Sequence, residues 1–326
     1  YRLNHMEIFS SLFVSAILLG CTYTLVALGY CLFFGVLDVV VFCSGDIAIF
    51  GAFSVISAYI LTYDAGIFQS LPLPVATLIV LAIAAVLCVG LSLATYFVSV
   101  RPFSKSSALM PLLSTIALGT AIKELLGLAY KPIMSNLIRV VTRIDTPINV
   151  TSGRNPQAMP KLLNAGGSTT ERDFIIMGLT LLILFFLFLF LNKTKMGLSM
   201  QAISQNKELA YMSGMNVKKT INITFIIGGI VLAIAGFLLG SYQSVIRFDT
   251  GSLYGTKGFS AAVVGGLKSI WGAVIGGMLL GFVEVFVSGL IPGGTQYQNI
   301  IAFIVVIIFI VFKPEGILGE KTIEKV

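Results

Sequence analysis

The chain has 326 residues, 57% of them apolar and only 11% charged, with a mean hydropathy of +0.98. A soluble domain carries roughly 25% charged residues, so this composition excludes a soluble globular protein and predicts an all-α integral membrane protein, because apolar runs of about 20 residues satisfy their backbone in lipid as helices. The formal charge of +7 suits anionic headgroups, and no basic stripe interleaved with exposed aromatics points to nucleic acid.

Residues 1–5 precede the first apolar run and are read as upstream sequence, leaving one transmembrane domain over residues 6–326. A first span is predicted over 8–34, with Gly20, Thr22, Thr24 and Gly29 as small packing positions. A second runs over 40–62, irregular near Gly45, with Asp38 as a local cap; Asp64 and the Pro72/Pro74 pair close it. The third covers 74–99 and ends at Arg101 and Pro102, and the fourth covers 109–129, with Lys123 and Glu124 near a membrane face. Residues 131–172 are the least apolar part of the chain and read as a basic loop with little local structure.

The fifth span, 173–192, is nearly unbroken Leu, Ile and Phe. A polar stretch follows over 193–220, in which Ala202, Asn206 and Ala210 recur every four residues and so share one face of a predicted helix ended by Gly214 and Asn216. Two readings stand for it, an ordinary solvated loop or a docking helix for a partner. The sixth span, 221–243, carries a ridge of Gly228, Gly229, Gly236 and Gly240. A half-helix over 257–266 is expected to dip in and turn at Gly265 and Gly266, a full helix over 271–290 to return, and a last span over 298–312 to stop at Lys313-Pro314. A single crossing there would put the polar tail on the wrong side. The count is about eight spans and a re-entrant half-helix.

No GxxxxGK motif followed by Ser or Thr, no GxSxG and no HExxH occurs, so the chain has no nucleotide-cradling loop and none of the common hydrolase signatures. The four cysteines sit in apolar runs as small hydrophobes, and the single histidine, His5, has no cluster to join. Chemistry at membrane depth falls to Asp46, beside Ser44 and Gly45, and to Glu284. Each reads either as part of a solute path, with Gly265 and Gly266, or as a structural polar lock. Gly45–Ala52 and Gly266–Ala273 both read G-x5-G-A, a weak echo of the paired interruptions of inverted-repeat transporters.

Five blocks occur in a fixed order: MEIFSSLFVSAILLGCTYTLVALGYCLFFGVLDVV, CSGDIAIFGAF, MGLSMQAISQNKELAYMSGMNVKK, KGFSAAVVGGLKSIWGAVIGGMLLGFVE and FKPEGILGEK. In these the chain resembles the inner-membrane permeases of the high-affinity branched-chain amino acid ABC importers, nearly end to end except for residues 1–5 and 131–172. The resemblance implies that 193–220 is a cytoplasmic coupling region docking on a separate ATPase subunit, with Ala202, Asn206, Glu208, Ala210, Gly214 and Asn216 as its candidate positions. It implies a second permease subunit, two ATPases that bind ATP and magnesium, an extracytoplasmic solute-binding protein and an outward-facing 131–172 loop, which charge alone does not orient. That loop would then meet an acidic face of the binding protein. No cofactor is expected on this chain itself. Family members often read INFAHGD where this chain has Val41-Phe42-Cys43-Ser44-Gly45-Asp46; the missing Asn and His put leucine, isoleucine and valine in doubt as cargo and admit urea, amides or other amino acids. The alternative is an ion-coupled secondary transporter using Asp46 or Glu284.

Overall fold

The computed structural model describes residues 5–64, 73–103, 107, 109–142, 157–158, 169–243, 245–291, 293–313 and 316–319. Eleven helices occur among them, with one antiparallel ladder that pairs Gln157 and Ala158 with Ile246 and Val245. In chain order these are α1 (His5–Leu37), α2 (Ser44–Asp64), α3 (Leu73–Thr95), α4 (Leu109–Thr142), α5 (Thr169–Lys193), α6 (Lys195–Gln205), α7 (Lys207–Met212), α8 (Val217–Gln243), α9 (Thr250–Gly265), α10 (Ile270–Leu290) and α11 (Gly294–Phe312).

Every expected span has a helix. Six are long and apolar enough to cross a membrane, a seventh is the bent pair formed by α5 and α6, and α11 is apolar over the shorter stretch Asn299–Phe312. Three boundaries differ from the sequence reading. The loop expected at 131–172 is helical to Thr142 as a continuation of α4, and the rest of it, apart from Gln157, Ala158 and the start of α5, lies outside the described residues. The half-helix begins at Thr250 rather than 257. His5 already belongs to α1, while residues 1–4 lie outside the described residues.

The chain divides into two compact units, one built from residues 1–40, 173–224 and 256–326, the other from 41–172 and 225–255. In the first, α1 and α10 meet through small residues. A Cβ on Gly277 would stand 2.7 Å from the Thr24 Cα, and one on Gly281 would strike the Gly20 backbone. Close approach of this kind is how helices pack where lipid tails are as apolar as any side chain. Phe13 and Phe282 add an edge-on ring pair at 5.3 Å. The α9–α10 turn is tighter still: a Cβ on Gly265 would meet the Gly272 carbonyl, and one on Gly276 the Ala261 carbonyl. Behind it the backbone amides of Ile317 and Leu318 donate to Val264 and Gly265, at 2.8 and 3.0 Å, occupying two of the last carbonyls of α9.

In the second unit the same device joins α2, α3 and α8. Gly51 faces Ala233 and Cys88, Gly236 faces the Ala48 carbonyl, and Gly229 faces Val89 and Ser92. The Ser92 hydroxyl donates to the Phe225 carbonyl at 2.8 Å. At its end α3 widens into a π-turn over Tyr96–Val100, closed by the Arg101 amide on the Tyr96 carbonyl. All four cysteines are free and buried.

Candidate functional site

The polar stretch after α5 is built from two short helices rather than one. Thr194 is extended and its hydroxyl oxygen accepts from the Gly197 amide at 3.0 Å, capping α6. The chain bends 78° at this point. Gly197 makes the bend possible, because a Cβ there would strike the backbone of Phe190 and Leu191. At Asn206 the backbone is extended again, with φ −157° and ψ 108°, and its side-chain oxygen accepts from the amides of Glu208 and Leu209, each at 3.0 Å. Asn206 therefore ends α6 and caps α7, and Glu208 stands in the first turn of α7, where a carboxylate favours the helix dipole.

This corrects the expected continuous face of Ala202, Asn206 and Ala210. Asparagine competes with the helix by bonding nearby amides, so the register resets at Asn206. Ala210 is buried, Ala202 is half-buried, and Asn206, Glu208, Gly214 and Asn216 are exposed. The large apolar side chains that α7 exposes, beside Lys207 and Glu208, are Leu209, Tyr211 at 74% exposure and Met212 at 80%. Gly214 takes φ +77° at the C-terminal end of α7, and Asn216 caps α8 by accepting from the Lys219 amide at 3.1 Å. Replacing Asn206 by alanine is expected to cost about 1 kcal/mol of local stability; hydrogen exchange at the Glu208 and Leu209 amides, faster in the variant than in the parent protein, checks it.

At membrane depth the first unit holds a buried charge pair. Lys257 on α9 and Glu284 on α10 lie 2.5 Å apart at 4% and 5% exposure. The Tyr23 hydroxyl on α1 donates to the other Glu284 oxygen at 2.7 Å, and the Lys257 amine lies 3.1 Å from the Tyr23 hydroxyl oxygen. These contacts tie α1, α9 and α10 together. Sequence reasoning missed Lys257. The signal was present: a lysine in a half-helix otherwise made of small and apolar residues needs an acid partner at that depth.

The second unit holds Asp46. Ser44 turns its hydroxyl onto the Val41 carbonyl at 2.6 Å, and Asp46 follows in the first turn of α2. The backbone is non-helical over residues 38–43, as the expected irregularity near Gly45 implies. Gly45 itself, in the first turn of α2, is a close approach, since a Cβ there would meet Gly251 and Gly255 of α9. Gly251 and Gly119 likewise leave room for the Asp46 carboxylate, one of whose oxygens is buried without a hydrogen-bond partner. Asp38 does not cap α2. It sits in the left-handed region at φ +56° and pairs with Lys268 at 2.7 Å.

The candidate path residues thus fall into two sets, with Ser44, Gly45 and Asp46 in one unit and Gly265, Gly266 and Glu284 in the other. Gly266 takes φ +112° between α9 and α10, whereas Gly45 is helical and follows the non-helical stretch 38–43 by two positions. No group of three or more His, Cys, Asp or Glu able to hold a metal occurs among the described residues.

Comparison with known proteins gives a consistent picture. The family profile described as branched-chain amino acid transport system, permease component, matches residues 12–310. The high-affinity branched-chain amino acid transport system permease protein BraD of Pseudomonas aeruginosa is 30% identical over 313 residues, 96% of each chain. LivH of Escherichia coli strain K12, a permease protein of the same description, is 30% identical over 326 residues, again 96% of each. A probable branched-chain amino acid transport permease protein of Methanocaldococcus jannaschii is 29% identical, covering 93% of this chain and 90% of its own. No solved structure matches the chain.

Proposed function

This chain belongs to the branched-chain amino acid transport permease family, and on that premise we propose that it lines the solute path of an ATP-driven importer and couples that path to separate ATPase subunits through α6 and α7. Family membership over residues 12–310 carries the reading. It also displaces the ion-coupled alternative. The chain transports; it is not an enzyme. It sits in the cytoplasmic membrane of a bacterium or archaeon.

The finer parts of the proposal concern partners and cargo. Leu209, Tyr211 and Met212 form an apolar projection on an otherwise polar segment, and a projection of that kind fits a groove on a cytoplasmic ATPase. Candidate positions Asn206, Glu208, Gly214 and Asn216 hold the projection in shape through caps and a turn, and Ala210 anchors it from beneath. ATP and magnesium belong to two such ATPases. A second permease subunit, a paralogue or a copy, completes the path, and an extracytoplasmic binding protein delivers the solute. Both compact units then act as one permease domain. Branched-chain amino acids are the favoured cargo. Ser44, Gly45, Asp46, Gly265 and Gly266 are the proposed path residues; Glu284 serves as its structural support.

Reconstituting the complex in proteoliposomes tests this. Uptake is expected to require ATP and to survive collapse of the proton gradient; uptake that disappears with the gradient sinks the proposal. Tyr211→Asp with Met212→Asp is expected to lower solute-stimulated ATP turnover at least about tenfold at unchanged membrane abundance, since buried aromatic and methionine anchors dominate interface energies. Normal turnover in that variant removes the coupling assignment but leaves the transport reading standing. Titrating the binding protein with amino acids, urea and amides names the cargo.

A further inference from the structure

The bend between α5 and α6 encloses a cavity that the transport reading does not use. It has a volume of about 310 Å³ and is lined by Asn192, Gln201, Ser204, Gln205, Lys268 and Ser269, closed on one side by Phe188 and Trp271. We propose that this cavity binds the headgroup phosphate of a membrane glycerophospholipid, with its acyl chains lying along the exposed flank of α5 and α10.

Two independent observations point to a lipid. The first is the chemistry of the wall. Lys268 has three donor directions; one goes to Asp38 at 2.7 Å and one toward the Ser204 carbonyl at 3.4 Å. The third is left for an anionic oxygen from the cavity. Gln201 spends its amide nitrogen on the Leu191 carbonyl and Asn192. Ser269 accepts from the Gly272 amide through its oxygen, so its own hydroxyl proton remains to donate. Around the bend Lys193 and Lys195 are exposed and raise the local positive potential. Asp38, half-exposed, opposes it and is paired with Lys268, so among these described groups Lys193 and Lys195 leave a positive excess.

The second is position. Above the cavity α5 presents Leu181, Leu182, Phe185 and Phe186 and α10 presents Ile275, all exposed. Phe188 and Trp271 pack ring to ring at 5.9 Å between this apolar flank and the polar wall. An aromatic pair at the junction of an apolar span and a polar bend marks the headgroup level of a bilayer. A soluble phosphate would use the wall and leave the flank idle; a lipid uses both. The cavity shares α6 with the coupling assignment, but the inference does not rest on that assignment, since it requires only that α5 and α10 span a membrane.

Native mass spectrometry of the purified full-chain complex tests it, with phosphatidylglycerol, a neutral diacyl glycolipid without phosphate, and glycerol phosphate as probes. Phosphatidylglycerol is expected to be retained on the chain, and Lys268→Ala to weaken its retention about tenfold, the loss of one charge-assisted contact. Asp38→Asn removes the ion pair while keeping the lysine, and retention should be unchanged or stronger. Equal retention of the glycolipid, equal binding of glycerol phosphate, an unaffected Lys268→Ala variant, or equal losses in the Lys268 and Asp38 variants would each overturn the proposal.

Discussion

Replacing Glu284 by alanine is expected to destabilise the protein by about 3–5 kcal/mol, because Lys257 is then left charged and buried without the Glu284 carboxylate. The same cost is expected for Lys257→Ala, and the two do not add. With both changed to methionine, no unpaired charge is buried and most of the loss is recovered, as happens where a buried ion pair is exchanged for apolar residues of similar volume. Tyr23→Phe removes one donor to Glu284 and one acceptor of Lys257 and should cost about 1–3 kcal/mol. Unfolding in mild detergent followed by denaturant titration measures all four. Additive single losses, or a double variant as weak as their sum, would show that the pair is not coupled and that each residue has another partner at that depth.

The second large effect concerns helix crossings. Gly276→Leu places a branched side chain where even a Cβ would collide with the Ala261 carbonyl of α9. Backbone cannot yield as a side-chain end does, so the loss should lie at or above the upper end of the about 1–3 kcal/mol typical of overpacking. Little folded protein should then accumulate in the membrane. Gly90→Leu provides the matched control, since nothing lies within 4 Å of a Cβ at Gly90 and the position is exposed on α3. Membrane abundance and size-exclusion behaviour compare the two. If Gly276→Leu accumulates like Gly90→Leu, the tight α9–α10 turn is not required for the fold.

The spans were legible because lipid imposes one rule, internal satisfaction of the backbone, and long apolar runs announce compliance with it. The turn between α9 and α10 was legible because Gly265 and Gly266 interrupt such a run. What composition hid was the resolution of polar segments. The polar composition of 131–172 made 131–142 look like loop, yet α4 carries on through it to Thr142; a helix needs no apolar continuity to form. Asn206 sits at a helical spacing from two alanines, and spacing is silent on whether its amide faces outward or caps the next turn. The charge lock was half visible: Glu284 was marked as costly, but its partner lies 27 residues away in sequence and meets it only through the folded-back pair α9 and α10.

The segmented make-up of the two units bears on how the protein is made. The residues of one unit are all synthesised by Gly255, whereas the other needs 256–326. Of the described helices α1 is made first, and the surface carrying Gly20 and Thr24 awaits α10, which is made only after α2 to α9. Until α10 is made, α1 therefore lacks the Glu284 carboxylate to which Tyr23 donates. Ribosome-stalled intermediates ending before Ile270 are consequently the stage at which this chain depends most on the insertion machinery for shelter.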